Sequence, residues 1–219
     1  MELFKLPHTT KIHRVIPKNA FDEYTNAKQK KLFSDLVSRI TWLNKLSTNT
    51  VNLESKEIKE ILLFKVELKV KEEVQAILNI IDKAIPYNII FIVENGVENY
   101  LSTSTKHPHP VNENNAVIDW TFKTDWYKID ENNYQLRLKR DLDYVFYDFC
   151  IQLSKKPELY NLSIQEVVQF EQRKDLLEKQ ILQLKKSIKA CKQYKDKVEL
   201  NVLMNGKIKE LQILESSSK

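Results

Sequence analysis

Glycine is the scarcest informative residue in this chain of 219 residues, which contains two, Gly96 and Gly206. Average usage of about 7% would give roughly 15. Loops that cradle phosphate need several glycines, because backbone amides must approach the ligand without a Cβ in the way. The sequence therefore lacks the glycine-rich loops of P-loop, dinucleotide-binding and kinase proteins, and we predict no cofactor.

Cysteines and long apolar runs are also few. Cys150 and Cys191 both lie in segments with helical patterning, which excludes a disulfide scaffold and favours a reducing cytoplasm. No apolar run approaches the roughly 18 residues that a membrane span needs. The start, "MELFKLPHTTKIH", lacks the long apolar core of a signal peptide. We therefore expect a soluble, cytoplasmic protein with no membrane contact.

The net charge of +5 is unevenly distributed. Residues 1–154 contain 21 Lys and Arg against 21 Asp and Glu, whereas residues 155–219 contain 14 against 9. The whole positive excess therefore belongs to the C-terminal segment. Any electrostatic attraction to nucleic acid should come mainly from that segment.

The first half of the chain changes from a helical to an extended pattern. Between residues 21 and 46, apolar residues recur every three or four positions. This spacing predicts a helix with Arg39, Trp42 and Lys45 close together on one face. Residues 57–70 end in strict alternation of apolar and charged side chains, which predicts a strand with one solvated face.

A second helix and a buried strand meet at Pro86. Residues 71–85 return to a helical period, and Pro86 cannot continue the helix. Asp82 and Lys83 fall off the apolar stripe of this helix, so we expect both to be surface or partner contacts rather than an acid/base pair. Residues 87–93, "YNIIFIV", then predict a buried strand.

The remainder of the body predicts more strands and one aromatic helix. Residues 94–96, "ENG", signal a turn into a hairpin partner. Residues 106–115 predict a loop, residues 116–129 a strand, and residues 140–154 a helix. We therefore predict an α+β body at residues 1–160, with a small mixed or antiparallel sheet of about four strands and three packed helices.

Residues 161–219 follow a different pattern. Apolar residues alternate at steps of three and four, which predicts a long coiled-coil-like helical segment, with a possible break near Gly206. A helix of this length has little domain to pack against, so we expect it to bind a partner. The residues predicted to do so are Leu177, Ile181, Leu184, Ile188, Val198 and Val202.

Four segments of the chain resemble a bacterial domain-of-unknown-function family, number 4391. They are "RVIPKNAFDEY", "RITWLNKLSTNTVNL", "IDKAIPYNIIFIVE" and "KQYKDKVELN", in this order along the sequence. Members of that family are often encoded beside DNA methyltransferases and helicase-type ATPases in clusters that resemble restriction or anti-phage defence systems. The resemblance implies an accessory subunit of such a system and supplies no catalytic residues.

Glu67 and Lys69 suggest one possible enzymatic site. Together they have the E-x-K spacing of restriction-type nucleases, in which carboxylates hold a divalent metal and a lysine steers the attacking water. No acidic residue ends the preceding strand, where Asn52 would be a poor ligand. A solvated strand face has the same alternation, so the nuclease is the weakest alternative.

His107 and His109 lie in a predicted loop with too few neighbouring ligands, and we predict no metal.

Two groups of lysines could contact nucleic acid. Lys123 and Lys128 alternate with Trp120 and Trp126, whose rings could stack on bases, although aromatic residues in strands are more often core. In the C-terminal segment the candidate residues are Lys185, Lys186, Lys189 and Lys192. The same lysines could simply solubilise a coiled coil.

The leading hypothesis is a non-catalytic accessory subunit of an anti-phage complex. It uses its C-terminal helix to bind a helicase-type ATPase or a DNA methyltransferase, or a second copy of itself. The alternative is a DNA-binding module that uses the basic C-terminal helix.

Overall fold

The structure is a computed structural model that describes residues 3–111 and 115–216. Its strands are β1 (Lys11–Ile16), β2 (Val37–Ser47), β3 (Glu60–Leu68), β4 (Asn88–Asn95), β5 (Glu98–Pro108), β6 (Ala116–Lys123) and β7 (Tyr127–Lys128). Its helices are α1 (Ala27–Leu36), α2 (Thr48–Val51), α3 (Gln75–Ala84), α4 (Leu142–Ser154), α5 (Ile164–Ala190) and α6 (Tyr194–Ser216). Short 3-10 helices lie at His8–Thr10, Lys18–Tyr24, Ile129–Glu131 and Pro157–Asn161.

The strands form one seven-stranded mixed sheet. Six strands follow the order β1-β2-β3-β4-β5-β6, and β7 pairs with β5. β3 and β4 are parallel, joined by α3, whereas every other pair is antiparallel. The predicted α+β class with a mixed sheet is confirmed, although the sheet is larger than the four strands expected.

The helix predicted for residues 21–46 is wrong. A 3-10 helix and α1 occupy its first part, and β2 begins at Val37. The apolar spacing of Ile40 and Leu43 suits a helix equally well, but β2 pairs with β1 on one side and β3 on the other. Long-range pairing of β-branched and aromatic residues therefore overrides the local helical period.

Helix α3 covers one face of the sheet and lies against the main core. Its apolar side chains pack with alternate residues of β3 and β4, which are on the same face because strand side chains alternate. The members of this cluster from these elements include Leu62, Phe64, Val66, Ile77, Leu78, Ile81, Ile89, Phe91 and Val93. The predicted helix at residues 71–85 and the predicted buried strand are both confirmed.

The hairpin between β4 and β5 forms where "ENG" predicted a turn. Gly96 has φ of +63°, a left-handed conformation that glycine adopts without the strain of a Cβ. The predicted loop at residues 106–115 is partly wrong, because β5 continues through Pro108 and pairs with β6. Residues 112–114 of that prediction lie outside the described residues.

Helix α4 confirms the predicted helix at residues 140–154, and its first turn is hydrogen-bonded to a loop that is distant in sequence. Asp141 caps the helix by accepting a hydrogen bond from the Tyr144 backbone N–H at 2.7 Å. Asp143 accepts hydrogen bonds from three consecutive backbone N–H groups, at residues 56–58, over 2.9–3.2 Å. This carboxylate therefore fixes the loop before β3 against α4.

The chain divides into two compact units, Met1–Lys155 and Lys156–Lys219. In the second unit, the predicted helical segment is confirmed, but it forms two helices. Residues 191–193 separate α5 from α6, and the two helices pack against each other as an antiparallel hairpin. The ion pairs Arg173–Glu210 and Lys174–Glu215 link the two helices. Gly206, where a break was expected, lies inside α6. Across the described residues, no helix is long and apolar enough to span a membrane.

Candidate functional site

Asp82, predicted to be at the surface, is instead buried in an ion pair with Lys106. The Lys106 Nζ lies 2.9 Å from Asp82 Oδ1, and both side chains are 1% exposed. The same Nζ donates to the backbone carbonyls of Asp82 and Ile85, each at 2.8 Å. Lys106 therefore satisfies the carbonyls at the end of α3, where Pro86 stops the helix.

Burial dominates the electrostatics of this pair. It raises the pKa of Asp82 and lowers the pKa of Lys106, because both charged forms lose their hydration, while the mutual attraction opposes each shift. The arrangement joins α3 to β5, which is a structural role.

The E-x-K pair does not come together. Lys69 Nζ donates to the Ser34 carbonyl at 2.6 Å, and no ion pair joins it to Glu67. The amine next to Glu67 is Lys65, which lies 3.4 Å from Glu67 Oε1 and 3.4 Å from Glu94 Oε2. The nuclease alternative remains an untested prediction, with Lys65 rather than Lys69 beside its carboxylates.

A cavity of about 240 Å³ lies beside this charged cluster. Leu43, Leu63 and Ile92 line it with apolar side chains from three neighbouring strands, and Lys65 and Glu94 are among its polar lining residues. In residues 3–111 and 115–216, no three His, Cys, Asp or Glu side chains form a group that could hold a metal ion.

The aromatic residues near Lys123 and Lys128 do not form an open stacking platform. Phe122 is buried, and the Trp126 ring packs edge-on against Tyr100 with centroids 4.8 Å apart. Lys123 forms an ion pair with Glu73 at 2.7 Å. Lys128 is exposed on the two-residue strand β7.

The predicted partner-binding residues fall on different sides of the C-terminal hairpin. Leu177 and Ile181 are 1% and 8% exposed, so the chain itself already covers them. Leu184 and Ile188 are half-buried. Val198 and Val202, in contrast, are 44% and 66% exposed. Their apolar spacing indicated a single seam, but the break at residues 191–193 separates it into an inner and an outer part.

Helix α6 is apolar on two opposite sides. Leu200, Met204, Ile208 and Leu211 are partly buried and follow the three- and four-residue steps of a side that faces α5. On the opposite side, exposed apolar residues at positions 194, 198 and 202, and again at 213, form what we call the outer face of α6, with the exposed Asn205 and Lys209 between them. The outer face consists of Tyr194, Val198, Val202 and Ile213.

Gly206 also lies in α6, and neither its backbone conformation nor its surroundings require a glycine. Its φ is not positive, and a Cβ would meet no atom within 4 Å. We expect Gly206→Ala to raise the free energy of unfolding by about 1 kcal/mol, because alanine loses less backbone entropy in a helix. Urea unfolding measures this, and an unchanged or lower value would contradict the helical placement of residue 206.

The lysines at the end of the hairpin are exposed. We define the hairpin tip as the six lysines between residues 185 and 197, which surround the turn from α5 into α6. They are Lys185, Lys186, Lys189, Lys192, Lys195 and Lys197, and none of them forms an ion pair among the described residues.

By fold, the chain is an α+β protein with a C-terminal helical hairpin. Residues 4–212 match the family model of a domain of unknown function, DUF4391, and the chain therefore belongs to that family, as the four sequence segments predicted. Neither the curated proteins nor the solved structures include a match to this chain.

Proposed function

We propose that this chain is a non-catalytic interaction subunit that binds a partner protein through the outer face of α6. One observation carries the proposal: α6 presents a second apolar side while α5 already covers its first. The side of a helix that faces water normally carries polar residues. Val202 and Ile213, which are 66% and 67% exposed, would gain by burial against another apolar surface.

The charge of the hairpin favours a partner of different sequence over a second copy. Residues 155–219 carry 14 basic and 9 acidic residues, so two hairpins brought together would repel each other. A complementary partner presents an apolar groove that receives the outer face as a helix in a groove. The family resemblance suggests a helicase-type ATPase or a DNA methyltransferase of a bacterial anti-phage complex as this partner.

The variant Val198→Glu/Val202→Glu tests the outer face. We expect it to weaken binding to a purified helicase-type ATPase or DNA methyltransferase from the gene neighbourhood by at least about tenfold, because two charges would be buried without partners. Isothermal titration calorimetry measures the affinity. Circular dichroism should show unchanged helicity, since both residues are exposed.

Leu203→Glu is the control for position on the helix, and its matched test variant is the single substitution Val202→Glu. Leu203 is also an exposed apolar residue of α6, at 59%, but it lies about 100° around the helix from Val202. We expect its affinity to stay within about twofold of the original chain. Equal losses in both variants, or no binding of either enzyme by the original chain, would contradict the proposal.

Self-association is a separate outcome of the same variants. Light scattering should give the mass of a monomer for the original chain at micromolar concentration. A dimer that Val198→Glu/Val202→Glu dissociates would assign the outer face to a second copy and overturn the proposed partner.

A further inference from the structure

The hairpin tip differs from the rest of the hairpin in the ion pairs that its basic residues form. Nearer the open end, Arg173 pairs with Glu210 at 3.1 Å, Lys174 with Glu215 at 3.1 Å, and Lys179 with Asp175 at 2.7 Å. Within residues 3–111 and 115–216, the six tip lysines have no such pairs. Folding therefore leaves a concentrated positive charge at one end of the hairpin, with little acidic charge beside it.

The chain reversal brings the lysines of both helices to the same place. Three residues, 191–193, separate α5 from α6, and the Cys191 Sγ donates to the Gln193 carbonyl at 3.3 Å within this turn. Lys185 and Lys189 lie one helical turn apart at the end of α5, and Lys195 and Lys197 lie at the start of α6. Lysines that are spread over 13 positions of the sequence thus form one patch.

The lysines rather than the backbone supply the attraction for anions at the tip. The first turn of α6, a helix of 23 residues, begins at Tyr194 within the lysine patch. The positive end of its helix dipole is offset by the negative end of α5, which ends at Ala190 in the same place. Asp196 is the acidic residue in this first turn, so it offsets one of the six charges.

We infer that the hairpin tip binds the phosphate backbone of a nucleic-acid duplex without reading its bases. A duplex carries about one negative charge per 1.7 Å of its axis, and several lysines at one end of a rigid hairpin can neutralise several phosphates together. Lysine suits this contact as a flexible point charge. One exposed aromatic residue lies beside the tip lysines, Tyr194 of the outer face, whereas binding of single strands typically uses several stacking rings.

This inference is independent of the proposed function. The outer face of α6 is apolar and the tip is basic, so different substitutions test them. Substitution of tip lysines should leave the affinity for the partner protein unchanged. The uncharged variant Val198→Ser/Val202→Ser should leave the affinity for nucleic acid unchanged, because it adds no acidic charge beside the tip. Each proposal can thus fail without the other.

The test is fluorescence anisotropy with a labelled duplex DNA of about 20 base pairs, at several salt concentrations. We expect the original chain to bind with an affinity that falls steeply as salt rises. The variant Lys185→Gln/Lys189→Gln/Lys192→Gln should bind at least about tenfold more weakly at low salt. Its slope of log affinity against log salt should fall by about 0.9 for each lysine that contacts a phosphate.

A control variant with the same loss of net charge separates the tip from charge in general. Lys28→Gln/Lys31→Gln/Lys209→Gln removes three exposed lysines outside the tip. We expect it to bind duplex DNA within about twofold of the original chain. Equal weakening in both triple variants would overturn the inference, because it would show that no local patch is involved.

Duplex RNA, single-stranded DNA and vesicles with anionic lipid complete the experiment. Duplex RNA should bind comparably to duplex DNA, since both present phosphates, and single-stranded DNA should bind more weakly with a smaller salt slope. Tighter binding to the vesicles than to either duplex would assign the tip to a lipid surface and overturn the inference.

Discussion

Lys106→Met should lower the free energy of unfolding by about 3–5 kcal/mol, the largest effect we expect from a single substitution. Methionine fills similar space, but it leaves the Asp82 carboxylate buried without its cation. It also removes the donor that satisfies the carbonyls of Asp82 and Ile85. Urea unfolding followed by circular dichroism measures the change.

The double variant Asp82→Leu/Lys106→Met distinguishes the loss of the ion pair from the burial of an unpaired charge. We expect it to be more stable than Lys106→Met by about 2 kcal/mol, because the orphaned carboxylate is gone while the two carbonyls remain without their donor. Lys83→Met, at the neighbouring exposed lysine, should change stability by less than about 0.5 kcal/mol. A Lys106→Met variant as stable as Lys83→Met would contradict the buried ion pair.

Asp143→Asn should lower the free energy of unfolding by about 3 kcal/mol. The carboxylate accepts three backbone N–H groups from residues 56–58 and is 7% exposed. An asparagine offers one oxygen and points its own N–H groups at those donors. Hydrogen bonds to a charged acceptor contribute about 1.5–3 kcal/mol each, and loss of even part of this set leaves buried donors unsatisfied.

Asp141→Asn makes the same chemical change two residues earlier in the chain. Asparagine caps a helix as well as aspartate does, so the hydrogen bond from the Tyr144 N–H persists. We expect a loss below about 1 kcal/mol, mainly from the ion pair with the exposed Lys56. Similar losses in the two variants would show that the three amides do not depend on the charge of Asp143.

The sequence predicted those elements whose local signals agree with their tertiary surroundings. Pro86 and Gly96 mark a helix end and a turn by their own backbone restrictions, and both features are present. The segment around Ile40 was predicted as a helix because apolar residues at steps of three and four fit that period. Its strand pairs with β1 and β3, distant segments that no local window contains.

The pairing of Asp82 with Lys106 depends on three-dimensional proximity across 24 residues. On a helix wheel Asp82 lies beside the apolar stripe, which is also where a surface residue lies. One signal was present: Lys106 directly follows Leu101 and four Ser and Thr residues of β5, a run without a charged side chain. A lysine at the end of such a run can extend its amine into the protein interior.

The C-terminal heptad pattern predicted helical packing but not which helix supplies the contact. A seam of apolar residues has the same sequence whether its partner is another chain or the next helix of its own chain. The turn at residues 191–193 contains neither glycine nor proline, so no local signal marks it. The hairpin uses Leu177 and Ile181 internally and leaves Val198 and Val202 exposed.

The most direct measurement for the proposed function is site-specific photo-crosslinking on α6. A benzoylphenylalanine at position 202 should crosslink to the purified helicase-type ATPase or DNA methyltransferase, because this position lies on the outer face. The same group at position 203, about 100° around the helix, should crosslink weakly or not at all. Equal crosslinking from both positions, or none from position 202 in a mixture where the two proteins bind, would contradict the outer face of α6 as the docking surface.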